Sequence, residues 1–351
     1  MPALVKIGVI GLGRMGKLYT RLLATQIKGV HLLAVADVSE PARSQVANEL
    51  GISYAFADPA DLIALPDVDA VFITTPTSTH HDLVVAAAGA GKAIFCEKPL
   101  ALTLEETQSA MEAVARAQVP LQVGFMRRFD AAYQKAKALI DSGQIGYPIT
   151  FKSLSRDPFC PQPEYADPAK SGGLILDMAI HDFDLARWLM GSEVERVTAE
   201  GSILVCKVLE SVGDIDNALI NLRFVNGTLG NVEVSRNAFY GYDIRTEVLG
   251  SEGAVMIGVH QHTPTLLLTR AGAQYDITPY LMERFGDAYR TQVQHFIDCL
   301  INGQPPLVGG ADALVAYEIG VAATRSYQTG KPVVLSEVAR SARQVNEHSS
   351  L

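Results

Sequence analysis

The chain has 351 residues, 48% hydrophobic and 19% charged, a composition that excludes a disordered polypeptide and a length that suits two domains. Its formal charge of −9, from 29 Lys and Arg against 38 Asp and Glu, argues against a nucleic-acid partner or an anionic membrane surface. No apolar run reaches the roughly 20 residues that span a bilayer, and Met1 to Ile10 carries no secretory leader, so a cytoplasmic protein is expected.

Leu4 to Ile10 is aliphatic and β-branched without solvent-facing alternation, as in a strand covered on both sides within a parallel sheet. Gly-Leu-Gly-Arg-Met-Gly follows from Gly11 to Gly16, and Leu18, Leu22 and Leu23 continue at helical spacing. The glycines therefore lie in a strand-to-helix turn. Gly11 allows the turn, Gly13 lets backbone approach a pyrophosphate, and Gly16 lets helix pack on strand, while the helix N-terminus attracts the anion. The next strand, His31 to Ala36, ends in Asp37, about 20 residues on, where a carboxylate accepts from both adenosine ribose hydroxyls and repels a 2′-phosphate. That points to NAD over NADP; the alternative for Asp37 is an ordinary turn residue. Arg43 is expected on the solvent side of the following helix.

The alternation continues through a helix containing Leu62, a strand from Ala70 to Thr74, a helix from His80 to Gly89, a strand from Ala93 to Cys96, a helix from Leu104 to Ala117 and a strand from Leu121 to Phe125. Such a series predicts an α/β, doubly wound parallel (Rossmann) sheet whose ligand lies beyond the carboxyl ends of its strands. Two of those ends carry distinctive residues: Thr-Thr-Pro-Thr-Ser-Thr-His from Thr74 to His80, and Glu97-Lys98-Pro99.

The pattern then changes. Extended runs at Thr150 to Leu154, Val194 to Val205, Asn217 to Phe224, Thr228 to Ser235, Arg245 to Leu249, Ala254 to Gly258 and Thr265 to Thr269 predict a large, mostly antiparallel open sheet in a C-terminal α+β domain. The expected division is 1–123 for dinucleotide binding and 124–345 for a second domain on the substrate side. A helix from about Leu176 to Met190 places Asp177, His181, Asp184 and Trp188 on one face, and carboxylates and an imidazole amid apolar sequence need a polar cleft to face. Two helices, about Arg284 to Asn302 and Ala311 to Thr329, end the pattern. Cys96, Cys160, Cys206 and Cys299 form no CxxC and are expected as packed thiols. His260 and His262 lack an acidic or Cys neighbour, so no metal site is expected.

In this order, GLGRMG, Asp37, TTPTSTH, EKPL and SGGLILDMAIHDFDLARWL, the chain resembles the glucose-fructose oxidoreductase, inositol dehydrogenase and rhizopine-catabolism (Gfo/Idh/MocA) oxidoreductases over nearly its whole length, and within them the bacterial inositol 2-dehydrogenases. The resemblance implies NAD as cofactor, with Gly11, Gly13, Arg14, Met15, Gly16, Asp37, Thr75, Pro76, His80, Glu97 and Lys98 around it. It implies Lys98, Asp177 and His181 as the catalytic set. Thr77 stands where the family often has Asn. Tyr289 is expected on the nicotinamide side, and one sheet face is expected to form a homo-oligomer, a dimer or tetramer, with Ile203, Val205, Leu219 and Val232 as candidates that inward packing explains equally well. By residue type, Arg128, Asp157, Asp184 and Tyr240 are candidates for binding a polyol.

A base titrating near the working pH best removes a hydroxyl proton, and unperturbed His lies near 6.5 against about 10.4 for Lys. His181 is accordingly expected as general base, Asp177 as the carboxylate that holds its tautomer, and Lys98 as donor to the developing alkoxide; Lys98 as base remains open. The expected reaction is NAD-dependent oxidation of a cyclic polyol of the myo- or scyllo-inositol type. The alternatives are an aldose 1-dehydrogenase, an NAD-dependent redox-neutral glycosidase and a sensor without turnover.

Overall fold

The computed structural model describes residues 4–258 and 260–338. It divides into two compact units, one comprising the chain to Met126 with Tyr289–Leu314, the other Arg127–Ala288 with the chain from Val315. The first unit thus takes back a C-terminal segment. The expected end of the second domain at 345 lies outside the described residues.

In the first unit, β1 (Val5–Ile10), β2 (Val30–Ala36), β3 (Tyr54–Phe56), β4 (Ala70–Ile73), β5 (Ala93–Cys96) and β6 (Leu121–Val123) form a parallel sheet of order β3-β2-β1-β4-β5-β6. Helices cover both faces of such a sheet, which is why β4 and β5 are apolar and buried throughout rather than alternating. The strand order reverses between β1 and β4, and the crevice at that reversal is the natural ligand position. Beneath it Phe72 stacks on Phe95 at 4.6 Å between ring centroids, with Tyr19 and Phe296 edge-on. Each such buried ring contributes about 1.5–3 kcal/mol. Tyr289 is buried here as well, edge-on to Tyr19.

In the second unit, β7 (Pro148–Arg156), β8 (Val194–Ser202), β9 (Asn217–Phe224), β10 (Leu229–Ser235), β11 (Asp243–Gly250), β12 (Ala254–Ile257) and a short terminal strand (Val333–Val334) make one sheet. All pairings are antiparallel except β7 with β10. A separate hairpin joins Leu267–Thr269 to Gly272–Gln274. Helix Ile180–Met190 packs on β7 and β10. Alternation along β9 buries Ala218, Ile220, Leu222 and Phe224 and exposes Leu219, the period-2 signature of a half-covered sheet. Of the residues for which an oligomer face and inward packing are equal alternatives in the sequence, Val232 is fully buried on the covered face and Leu219 is outward. Register explains the difference, since Val232 pairs with buried Ile220 and the adjacent Glu233 pairs with Leu219 on the opposite face.

The cysteines also depart from expectation. Cys96 and Cys299 are buried thiols, but Cys160 and Cys206 form a disulfide with Cα atoms 5.6 Å apart. Their 46-residue separation carries no spacing motif, so only the fold brings them together.

Candidate active site

The cofactor side of the first unit is built mostly from backbone. Gly11 has φ +91°, and a Cβ there would stand 2.7 Å from the Thr75 nitrogen; at Gly16 it would stand 1.8 Å from the Gly11 carbonyl. At Gly13 it would meet nothing within 4 Å. Gly11 and Gly16 are therefore required by packing, whereas Gly13 leaves room above the start of helix Arg14–Thr25. No side chain caps that helix, so its first N–H groups face the room with their positive dipole end. Arg14 is exposed and Met15 half-buried at this start. This cradle, open where a phosphate needs backbone, fits a dinucleotide.

Asp37 ends β2 with its carboxylate accepting from Leu12 N at 2.6 Å and from Ser39 N at 2.8 Å. One bond per oxygen leaves acceptor capacity for ribose hydroxyls. Arg43, expected toward solvent, instead donates to the Asp37 main-chain carbonyl at 2.6 Å, which places its cation at the same end of the cradle.

Thr74 ties the loop after β4 to the glycine turn by donating to the carbonyls of Gly11 at 2.7 Å and Ile10 at 3.0 Å. Thr75 and Pro76 lead from it into the short turn Thr77–Thr79, and the Thr75 hydroxyl accepts from Thr79. His80 and Glu97, expected around the cofactor, each have partners within the protein. His80 is buried with Nδ1 2.8 Å from the Pro99 carbonyl and Nε2 3.0 Å from the Thr75 carbonyl, so it braces one loop against the other. Burial pushes its pKa down, against the two carbonyls, which favour a protonated ring. The Glu97 carboxylate turns inward to the Tyr19 hydroxyl, which also accepts from Gln292 at 2.8 Å. Burial pushes its pKa up, while Tyr19 and Lys98 oppose this. Glu97 also accepts from the Lys98 main-chain nitrogen at 3.1 Å, fixing the backbone from which half-buried Lys98 projects across a cis bond to Pro99.

In the second unit the residues around the predicted helix are paired charges. Asp177 lies on a π-turn, Ile175–Ala179, that runs into helix Ile180–Met190 carrying His181. Such wide turns recur at functional sites because they reorient one side chain within a helix. The Asp177 side chain is 40% exposed, and His181 is buried, at 8%. Arg236, at the end of β10, reaches Asp177 at 3.4 Å with one guanidinium nitrogen and Asp214 at 2.6 Å with another. Asp157 lies beside this group: its nitrogen donates to the Ser235 carbonyl at 2.9 Å and its carbonyl accepts from Ala238 at 2.9 Å.

Arg128 and Asp184, expected as polyol contacts, are joined to each other. Arg128 Nε donates to Asp184 at 2.8 Å in a bidentate pair, both residues are buried, and the guanidinium lies 5.7 Å from the Trp188 ring centre. A buried carboxylate needs such a partner, and this one uses its directed lone pairs. Tyr240 likewise donates to Asp243 at 2.7 Å and accepts from Arg156 at 2.8 Å. Asp182, passed over in the sequence, accepts from Arg127 at 2.8 Å and Ser155 at 2.7 Å. Arg236, Asp214 and Asp182 were missed because their partners lie far away in sequence; their only signal was charge within otherwise apolar segments. Among the described residues no group of His, Cys, Asp or Glu could hold a metal ion.

Two family models match the chain: the NAD-binding Rossmann fold of the Gfo/Idh/MocA oxidoreductases over residues 5–125, and the C-terminal alpha/beta domain of the same family over residues 137–335. The chain is 45% identical over 331 residues to the scyllo-inositol 2-dehydrogenase (NAD(+)) of Bacillus subtilis, covering 94% of this chain and 96% of that protein. It is 42% identical to the myo-inositol 2-dehydrogenase of Thermotoga maritima, covering 95% and 99%. Its fold matches the crystal structure of Lactobacillus casei scyllo-inositol dehydrogenase with bound NAD(H) and scyllo-inositol at a TM-score of 0.91 and 32% identity, over 95% of this chain and 99% of that one.

Proposed function

Because the chain belongs to the Gfo/Idh/MocA oxidoreductase family, we propose that it is an NAD-dependent dehydrogenase that oxidises a secondary hydroxyl of a cyclic polyol of the inositol type to the ketone. The observation that carries this reading is an imidazole and an ion-paired carboxylate one helical turn apart, His181 and Asp177, in a chain that also holds a complete dinucleotide cradle. Gly11, Gly13 and Gly16 with the helix start would hold the pyrophosphate, and Asp37 the adenosine ribose. When bound, NAD supplies the nicotinamide that accepts the hydride. His181 takes the hydroxyl proton, Asp177 holds the imidazole tautomer, and the Lys98 ammonium donates to the alkoxide oxygen as charge develops there. Asp157 remains the candidate polyol contact on the Asp177 side.

The test is NADH formation on a panel of myo-inositol, scyllo-inositol, glucose, galactose and aryl glycosides. NADH formed on an inositol supports the proposal. Aglycone release without net NADH, or NADH formed only on aldoses, would replace it with another reaction.

We further place the enzyme in the cytoplasm as a homotetramer. Supporting the assembly is the uncovered face of the second unit's sheet, where Leu229 on β10 and Leu249 on β11 lie in one row through Thr150 of β7, with Leu219 also outward on β9. Light scattering that gives a monomer mass would remove that part of the reading.

A further inference from the structure

The described surface, clefts and charge clusters converge on one residue that neither motif nor spacing marks. Arg236 is 3% exposed yet grips two carboxylates of different kinds. Asp214 is buried, at 5%, and besides Arg236 it accepts from the Leu174 main-chain nitrogen at 3.0 and 3.1 Å, anchoring the chain just before the π-turn. Asp177 is the exposed end of the same bridge, on that π-turn. Arg236 is itself fixed: its main-chain nitrogen donates to the Asp216 carbonyl at 2.9 Å, and the Asp216 carboxylate accepts from Leu204, Val205 and Cys206 nitrogens between 2.6 and 2.8 Å. Cys206 is in turn tied to Cys160 by the disulfide. A rigid sheet end therefore presents one cation to the start of the site helix and to the carboxylate beside His181.

We infer that Arg236 is a positioning residue for the oxidation: it holds Asp177 ionised and oriented, using Asp214 as the fixed counter-anchor. The inference rests on the role proposed above for Asp177. A carboxylate that must orient an imidazole has to stay charged and keep one direction, and an arginine within hydrogen-bond reach does both because its fork is planar and always cationic. Asp214 explains how so buried a cation is tolerated. Burial pushes the Asp214 pKa up and Arg236 opposes this, so each offsets the other's desolvation. Arg236 and, through it, Asp214 face Asp177 from the sheet side, and His181 follows it by four residues along the chain.

Arg236→Met should lower kcat by about 10- to 100-fold, the worth of a charge-assisted hydrogen bond, with KM for NAD unchanged. Without the cation the carboxylate charge beside His181, the assigned base, is less compensated, so the acid limb of kcat/KM that this base sets should move up, by about one pH unit at most. Arg236→Lys should keep the limb in place and recover part of kcat. Because Arg236→Met strands the buried Asp214 charge, the variant carrying both Asp214→Asn and Arg236→Met is needed to separate folding from positioning. If it regains the wild-type Tm but keeps the low kcat and shifted limb, the inference stands. If kcat and limb return with Tm, Arg236 only neutralises Asp214 and the inference is overturned. The same substitution made in Asp177→Asn should cost nothing further; an additive loss would also overturn it. An Asp177→Asn variant with full turnover would instead remove the role assigned to Asp177 itself.

Discussion

The two units solve the problem of holding charge in opposite ways. The anion site proposed in the first unit is uncharged backbone, the Gly13 opening and the uncapped start of a helix, with the Asp37 carboxylate set apart for the ribose, all drawn from consecutive stretches of chain. The second holds its chemistry in buried ion pairs between distant segments: Arg127 with Asp182, Arg128 with Asp184, and Arg236 with Asp214 and Asp177. A backbone site tolerates an overall charge of −9 because it needs no basic surface. A paired site is stable only while each partner stays in place, so damage to the second unit should be larger and should fall on turnover and folding, while damage to the dinucleotide cradle of the first should fall on cofactor choice.

The sharpest break in that contrast is His181→Ala. Removing a proton-transfer group should lower kcat by about 10²- to 10⁴-fold while leaving NAD affinity, read by fluorescence titration, at the wild-type value; normal turnover would show that His181 is not the base.

Next comes Arg127→Met, which leaves the fully buried Asp182 carboxylate with one neutral partner, Ser155, and should cost about 3–5 kcal/mol of unfolding free energy in a denaturant titration. Exchanging both partners for apolar residues of similar volume should restore most of it, since the penalty lies in the stranded charge. A loss under 1 kcal/mol would mean that water reaches the pair.

In the first unit, Asp37→Ser should raise KM for NAD by about 10- to 100-fold, the worth of hydrogen bonds to a charged group. It should also make NADP usable, because a 2′-phosphate would then meet the Arg43 cation at that end of the cradle and no carboxylate. Unchanged discrimination between the two cofactors would separate Asp37 from ribose recognition.

The smallest effect is expected at the His80 brace. Its folded pKa lies below the ordinary 6.5 because of burial, so the folded state binds fewer protons than the unfolded chain there. Its contribution is full above about pH 6.5 and is lost as pH falls through the folded value. The wild-type advantage over His80→Gln, about 1 kcal/mol for the one hydrogen bond that a neutral ring can donate to a carbonyl, should therefore shrink between pH 7.5 and 5. A gap that widens on acidification would indicate an imidazolium in the fold.

Local pattern made the first unit legible. The run from β1 through Gly16 to Asp37 declares itself because each residue acts on its neighbours in sequence: a turn needs glycine, a helix start needs no side chain, a strand end presents its last residue. Lys98, Asp177 and His181 could be singled out for related reasons, by a strand end and by helical spacing. Spacing could not tell which charged residues of the helix are spent on partners. Asp184 shares a face with His181 yet is consumed by Arg128, whereas Asp177 remains accessible on a π-turn that helical periodicity does not foresee.

By itself, then, the sequence determined the parallel sheet, the dinucleotide cradle, the change to a second sheet and the helix that bears the imidazole, because these depend on periodicity and on the conformational limits of single residues. Only the tertiary structure decided the inward turn of Glu97, the His80 brace, the Cys160–Cys206 bond and the Asp214–Arg236–Asp177 bridge. Each of these joins segments whose meeting is set by packing, and the desolvation of a charge, which governs most of them, has no value until the surroundings exist.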